Sequence, residues 1–172
     1  DLILFSDPDE IPNLSNFKKI EFKKKYIIFL QDLFYYKLNI KEVGFGNNWE
    51  GTRGCLKKNL KSIDYMRQKV LKKNLKYGFW RIDKFKKIFK ISNGGWHFSF
   101  LGDANLISSK IKSYVHSEFD ETKFTNIEEI NKRIKNNLDP YDRKKTLKKI
   151  SIDDSFPEFI LQNREKLKKF IL

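Results

Sequence analysis

Leu2-Ile3-Leu4-Phe5 is apolar without alternation and runs directly into Ser6-Asp7-Pro8-Asp9-Glu10-Ile11-Pro12. A strand that is apolar on both sides needs cover on both faces, as strands at the centre of an α/β sheet have. The run therefore predicts a central, fully buried strand with an acidic turn at its carboxyl end. In open α/β sheets, ligands bind in the crevice beyond that end. A chain that opens inside such a strand is expected to be N-terminally truncated, with its missing neighbours supplying the strands on either side.

The remaining pattern is mixed. Pro12 suits a first helical turn, and Leu14, Phe17 and Ile20 follow at helical spacing. Phe22–Leu30 and Leu33–Ile40 read as two strands. Gly44, Gly46, Asn47, Asn48, Gly51 and Gly54 mark a loop or wide turn over residues 44–54. Ser62 predicts a helix cap with Ile63, Met66 and Val70 on one face. Residues 72–87 are basic and irregular, with Trp80 and Phe85 among them. Phe89-Lys90-Ile91 and Trp96–Leu101 predict a hairpin across Ser92-Asn93-Gly94-Gly95, with Trp96, Phe98 and Phe100 on one side and His97 and Ser99 on the other. Asp103 predicts a cap for a helix bearing Ile107, Ile111 and Tyr114. Thr125-Asn126-Ile127-Glu128 and Ser155-Phe156-Pro157-Glu158 both fit capping boxes. The expected fold is α/β, a mixed and partly parallel sheet with helices gathered toward the C-terminus. No linker divides the chain, so residues 1–172 are expected to form one domain.

Composition narrows the class. The 172 residues are 40% hydrophobic and 15% aromatic, enough to bury a core. No apolar run approaches the ~20 residues of a membrane-spanning helix. One cysteine, Cys55, excludes an internal disulfide, and with two histidines it cannot close a zinc tetrahedron without carboxylates. The net charge of +14 invites a nucleic-acid reading. Only six of the 36 basic residues are arginine, however, and lysine, asparagine, isoleucine and phenylalanine are all plentiful, as an AT-rich genome would produce. Scattered lysine favours anionic partners weakly, and it allows peripheral contact with anionic lipid.

Three groups of residues can carry chemistry. Asp7 and Asp9, one residue apart in a turn, can point the same way and hold Mg²⁺ or Mn²⁺, which also bridges phosphate oxygens; Asp9 with Glu10 and Pro12 equally suits a helix N-terminus. His97 is either a structural strand histidine or an acid–base group. His116 and Glu118 share a face if extended, and can complete a metal shell, exchange a proton, or form a surface pair. Trp49 and Arg53 offer an aromatic platform and a phosphate-gripping guanidinium, or a core plug. Cys55 reads as a small buried residue.

Asp7-Pro8-Asp9-Glu10-Ile11-Pro12, Gly95-Trp96-His97-Phe98-Ser99-Phe100 and Ser113-Tyr114-Val115-His116-Ser117-Glu118-Phe119 occur in that order. In this the chain resembles the β-1,4-mannosyl-glycoprotein 4-β-N-acetylglucosaminyltransferase family, glycosyltransferase family seventeen. Asp153-Asp154-Ser155-Phe156-Pro157 is similar to the close of its small bacterial members. The resemblance implies a GT-A (Rossmann-like) fold, here partial and lacking the N-terminal nucleotide-binding strands. It implies an inverting glycosyltransferase with a UDP-sugar donor, UDP-N-acetylglucosamine in the animal members, and a glycan acceptor. Asp7 and Asp9 match the family's D-x-D on metal (Mn²⁺ or Mg²⁺) and diphosphate, with Arg53 adding charge there. His116 matches a late histidine that would be a further metal ligand. The base is sought in Glu118, Asp103 and His97, in that order, and substrate contacts in Trp49, Trp96 and Glu10. The competing expectations are a basic nucleic-acid-binding module and a non-catalytic carbohydrate-binding remnant. Localisation is left open.

Overall fold

The computed structural model describes residues 1–15, 24–44, 48–68, 76–84, 88–113 and 122–172. It is mixed α/β, with parallel and antiparallel strand pairs and several helices. The chain divides into two compact units: residues 1–32 with 48–97, and residues 33–47 with 98–172.

The first unit is built on strand β3, Tyr26–Tyr35, whose N-terminal part lies in it. Tyr26-Ile27-Ile28-Phe29 is the stretch that is buried on both faces. Tyr26 and Ile28 pack with Cys55 and Met66 on one side. Ile27 and Phe29 pack with Ile91, Leu2, Leu4 and Phe89 on the other. Period-two side-chain direction sorts the run into these two layers. Each fully buried Ile or Phe contributes about 1.5–3 kcal/mol relative to exposure. Beside β3 lies β5, Trp49–Leu56, antiparallel, and on its far side β1, Leu2–Phe5, again antiparallel. Strand β6, Ile88–Ile91, runs parallel to β3, pairing Tyr26 with Ile88 and Phe29 with Ile91. A short helix α1, Ile63–Arg67, lays Met66 on the Tyr26–Ile28 face; Ser62 caps it, its hydroxyl accepting the Tyr65 N–H as the sequence predicts.

Several expectations change here. β1 is half-buried and, among the described residues, pairs only with β5, so the central position falls to β3. Residues 26–35 form one strand: Gln31 and Asp32 continue it beyond a register irregularity between Ile28 and Leu30. Much of the predicted loop over residues 44–54 is strand β5. Gly51 and Gly54 stand in it because neighbours come too close for a side chain: a Cβ on Gly51 would lie 1.8 Å from Gln31 Oε1, and one on Gly54 2.7 Å from Leu4 Cδ2. Pro12 ends a strand, β2 (Glu10–Pro12), instead of opening a helix; Phe17 and Ile20 lie outside the described residues. The predicted hairpin does not form. β7, Gly95–Ser99, pairs antiparallel with β2 and also pairs with β3, while β6 pairs with β3.

The second unit holds the end of β3, β4 (Ile40–Glu42), helices α2 (Ala104–Lys112), α3 (Thr122–Thr125) and α4 (Ile127–Lys135), β8 (Leu147–Lys149) and α5 (Glu158–Gln162). The helices thus gather toward the C-terminus. β4 pairs with β8, and Phe34 packs its ring against Phe98 and Phe156 at 5.0 and 5.5 Å. Asp103 caps α2 through the Leu106 N–H. The cap of α4 is Asn126, one residue later than the Thr125 box, its carbonyl taking the Glu128 and Glu129 N–H groups. The Ser155 box does not form either. The Ser155 N–H and hydroxyl donate to Asp153, and Pro157 precedes α5 with no side-chain cap.

Candidate functional site

The turn between β1 and β2 carries Asp7 and Asp9, and it is tied off from within. The Glu10 N–H donates to the Asp7 carbonyl at 3.0 Å, and the Asp7 N–H donates to Glu10 Oε2 at 3.2 Å. This reciprocal pair folds the Glu10 side chain back under the turn. The β2–β7 register then sets Glu10 directly opposite His97, with Ile11 opposite Trp96 and Pro12 opposite Gly95. Glu10 and His97 are both buried.

Trp49, at the start of β5, closes the group. Its indole N–H donates to Glu10 Oε1 at 2.6 Å, and its ring stands edge-on to the His97 imidazole with centroids 4.6 Å apart. His97 Nε2 lies 3.4 Å from Asp9 Oδ2, and His97 Nδ1 is buried with no hydrogen-bond partner. Burial pushes the Glu10 carboxyl above its ordinary range, against the pull of the Trp49 N–H, the Asp7 N–H and the His97 charge.

Arg53 lies on β5, level with Phe5 of β1 and Ile28 of β3. It is buried, donates to the Gly51 carbonyl at 3.0 Å, and has Glu50 at 4.0 Å. Its Nε has no partner. Burial lowers the pKa of this guanidinium, while the nearby charges of Glu10, Glu50 and Asp7 act to raise it. Arg67, from the last turn of α1, reaches Asp7 Oδ2 at 3.6 Å and is more than half exposed. Behind the turn, the Gln31 amide donates to the Thr52 hydroxyl at 3.1 Å, which shares a hydrogen with Ser6 at 2.6 Å.

Asp7, Asp9, Glu10, Trp49, Arg53 and His97 thus belong to one connected set within one unit. Trp96 is half-buried on β7 next to it. Asp103 is in the other unit, its carboxylate occupied at the α2 cap. His116 and Glu118 lie outside the described residues. Sequence reasoning missed Ser6, Gln31, Glu50, Thr52 and Arg67. Gln31 had a signal: an amide inside the apolar run Tyr26–Tyr36 must find a buried partner.

Four carboxylates (Asp7, Asp9, Glu10 and Glu50) outnumber the two guanidiniums here, in a chain whose net charge is +14. Such a local excess suits a cation, or an anion that arrives with one. The Asp9–His97 pair can hold and move a proton. The Trp49–Glu10 bond holds the buried acid in place. Trp49→Phe keeps a ring against His97 but removes that donor, and is expected to cost about 1–3 kcal/mol at pH 7. Because the folded pKa of Glu10 lies above its unfolded value, the ionised acid is the disfavoured form. The loss should therefore shrink as pH falls toward 4.5 and Glu10 takes up its proton. Urea unfolding of both proteins at the two pH values measures this. An equal loss at both would show that Glu10 is not involved.

No protein-family model, no curated protein and no solved structure matches the chain.

Proposed function

We propose that the chain is an inverting glycosyltransferase of the GT-A kind. In this reading it transfers a sugar, N-acetylglucosamine by the family resemblance, from a UDP-sugar to a glycan acceptor. The observation that supports this most is the β2–β7 register. It brings the D-x-D turn, a buried acid and a histidine together with an indole and two arginines.

The expected metal is tested first against the donors. Asp7 and Asp9 are hard oxygen ligands of the type Mn²⁺ and Mg²⁺ take, and both are partly exposed. Among the described residues no group of three or more His, Cys, Asp or Glu side chains is set to hold a metal, so these two carboxylates would be the described share. His116 remains a proposed further ligand. When bound, the ion would supply Lewis-acid stabilisation of the departing diphosphate.

The chain's own groups do the rest. Arg67, exposed beside Asp7, is free to move onto a phosphate, while buried Arg53 contributes a fixed positive charge behind the turn. The acceptor hydroxyl attacks the anomeric carbon from the face opposite the leaving group. Its oxygen forms the new bond, the old C–O bond leaves with UDP, and its proton passes to a base. Of the two candidate bases among the described residues His97 is preferred, because the Asp103 carboxylate serves a helix cap, and Glu118 remains a proposed base. Trp49 or Trp96 would stack on the acceptor sugar, and Glu10 would orient it through the indole.

Calorimetric titration of UDP-N-acetylglucosamine into the chain, with Mn²⁺ and again with EDTA, tests the reading. Binding is expected with Mn²⁺ and is expected to weaken at least tenfold in EDTA. Equal affinity in both buffers, or no binding in either, overturns it.

A further inference from the structure

Residues 72–90 hold eight basic residues and one acid, Asp83. Within them, residues 76–84 form a chain of tight turns: the Arg81 N–H donates to the Gly78 carbonyl, Ile82 N–H to Trp80, and Lys84 N–H to Arg81. Charged side chains of the turn pair with one another. Arg81 donates twice to Asp83, both at 2.8 Å, and Lys84 lies 3.4 Å from the same carboxylate. Both cations also cover the Tyr77 ring, at 4.9 and 5.4 Å. Beside these charges the turn exposes large apolar side chains: Phe79 is 89% exposed, Ile82 82% and Trp80 69%. The Trp80 ring leans over Gly78, where a Cβ would lie 2.3 Å from it, and stands edge-on to Phe79.

Three large exposed apolar side chains on a turn that keeps a net positive charge mark an interaction surface. From this arrangement we propose that residues 76–84 insert into the surface of an anionic lipid bilayer. Phe79, Trp80 and Ile82 enter the headgroup boundary, and the surrounding lysines meet the lipid charge. Tryptophan at such a tip suits that boundary, where its ring is apolar and its N–H stays wet. Single-stranded nucleic acid fits less well. Ile82 has no π-face for a base, the two rings meet edge to face, and the Arg81 fork that would grip phosphate is engaged by Asp83. This surface is independent of the transferase reading and needs no nucleotide sugar.

The test is sedimentation of the full chain with vesicles of phosphatidylcholine alone, and of phosphatidylcholine with an equal part of phosphatidylglycerol. Binding is expected to the mixed vesicles. The double variant Phe79→Ser, Trp80→Ser should lower the partition coefficient about tenfold or more, with an unchanged circular dichroism spectrum. A blue shift of tryptophan emission on binding should vanish in Trp80→Phe, which keeps Trp49 and Trp96. Two results overturn the proposal. One is a double variant that binds as well as the parent, which would leave lysine charge alone at work. The other is a chain that ignores vesicles but binds oligouridylate in a Phe79- and Trp80-dependent way.

Discussion

Gly95→Ala is expected to destabilise the protein by about 4 kcal/mol, the sum of two separate penalties. The first is conformational. Gly95 has φ +132°, a region L residues rarely adopt. The second is steric, and the neighbours are main chain. A Cβ there would lie 2.0 Å from the Ile11 carbonyl oxygen, 2.8 Å from the Asn13 N and 3.0 Å from Pro12 Cα. No rotamer relieves a clash with backbone, so β2 would have to part from β7. That pairing sets Glu10 opposite His97, so the candidate site would be lost with it. Gly94 is as tightly placed, its N–H donating to Leu30 O while its carbonyl accepts from Asn13 N–H. Urea melts of Gly95→Ala and of Ser92→Ala, an exposed residue of the same turn, make the comparison. The serine variant should stay within about 0.5 kcal/mol of the parent. A loss below about 1 kcal/mol for Gly95→Ala would mean that the strands approach less closely than described.

The second large effect is on the proposed chemistry. Asp9→Asn keeps size and shape at a partly exposed position, so the fold should survive. It removes one negative charge from the D-x-D turn and from His97 Nε2 together. Transfer from the UDP-sugar is expected to fall about 10²–10³-fold, the scale of losing one preorganised electrostatic contact in a transition state. Mn²⁺-dependent binding of UDP separates the two roles. If it weakens along with transfer, Asp9 holds the ion. If it is kept while transfer is lost, Asp9 acts through His97. Transfer at the parent rate would remove Asp9 from the mechanism altogether.

Local chemistry in this chain was readable in proportion to how local it is. Ser62 and Asp103 cap α1 and α2 because a short oxygen-bearing side chain satisfies a free N–H two or three residues on, whatever lies around it. Asn126, in place of Thr125, does the same for α4, whereas α5 has no side-chain cap. The acidic turn after an apolar strand was also readable, and Asp7, Asp9, Glu10, Trp49, Arg53 and His97 do meet in one unit.

The strand assignments were less legible, because glycine and proline mean different things beside different neighbours. Gly51 and Gly54 in isolation signal a turn. Beside Gln31 and Leu4 they are the residues that let strands close up. Gly94 and Gly95 suggested a hairpin, yet they let β7 pass between β2 and β3. Pro12 tolerates its place in β2 because it needs no N–H at that end of a short strand.

The order of residues determined the composition of the acidic turn, the helix caps, the apolar runs that would form strands and the basic stretch around Trp80. All of these depend on neighbours a few positions away. Tertiary structure decided which apolar run is central, which strand faces β2, and that His97 stands opposite Glu10 and beside Asp9. Those outcomes depend on pairing between segments up to ~90 residues apart, where register is chosen by the combined packing of both faces and no single stretch contains the information.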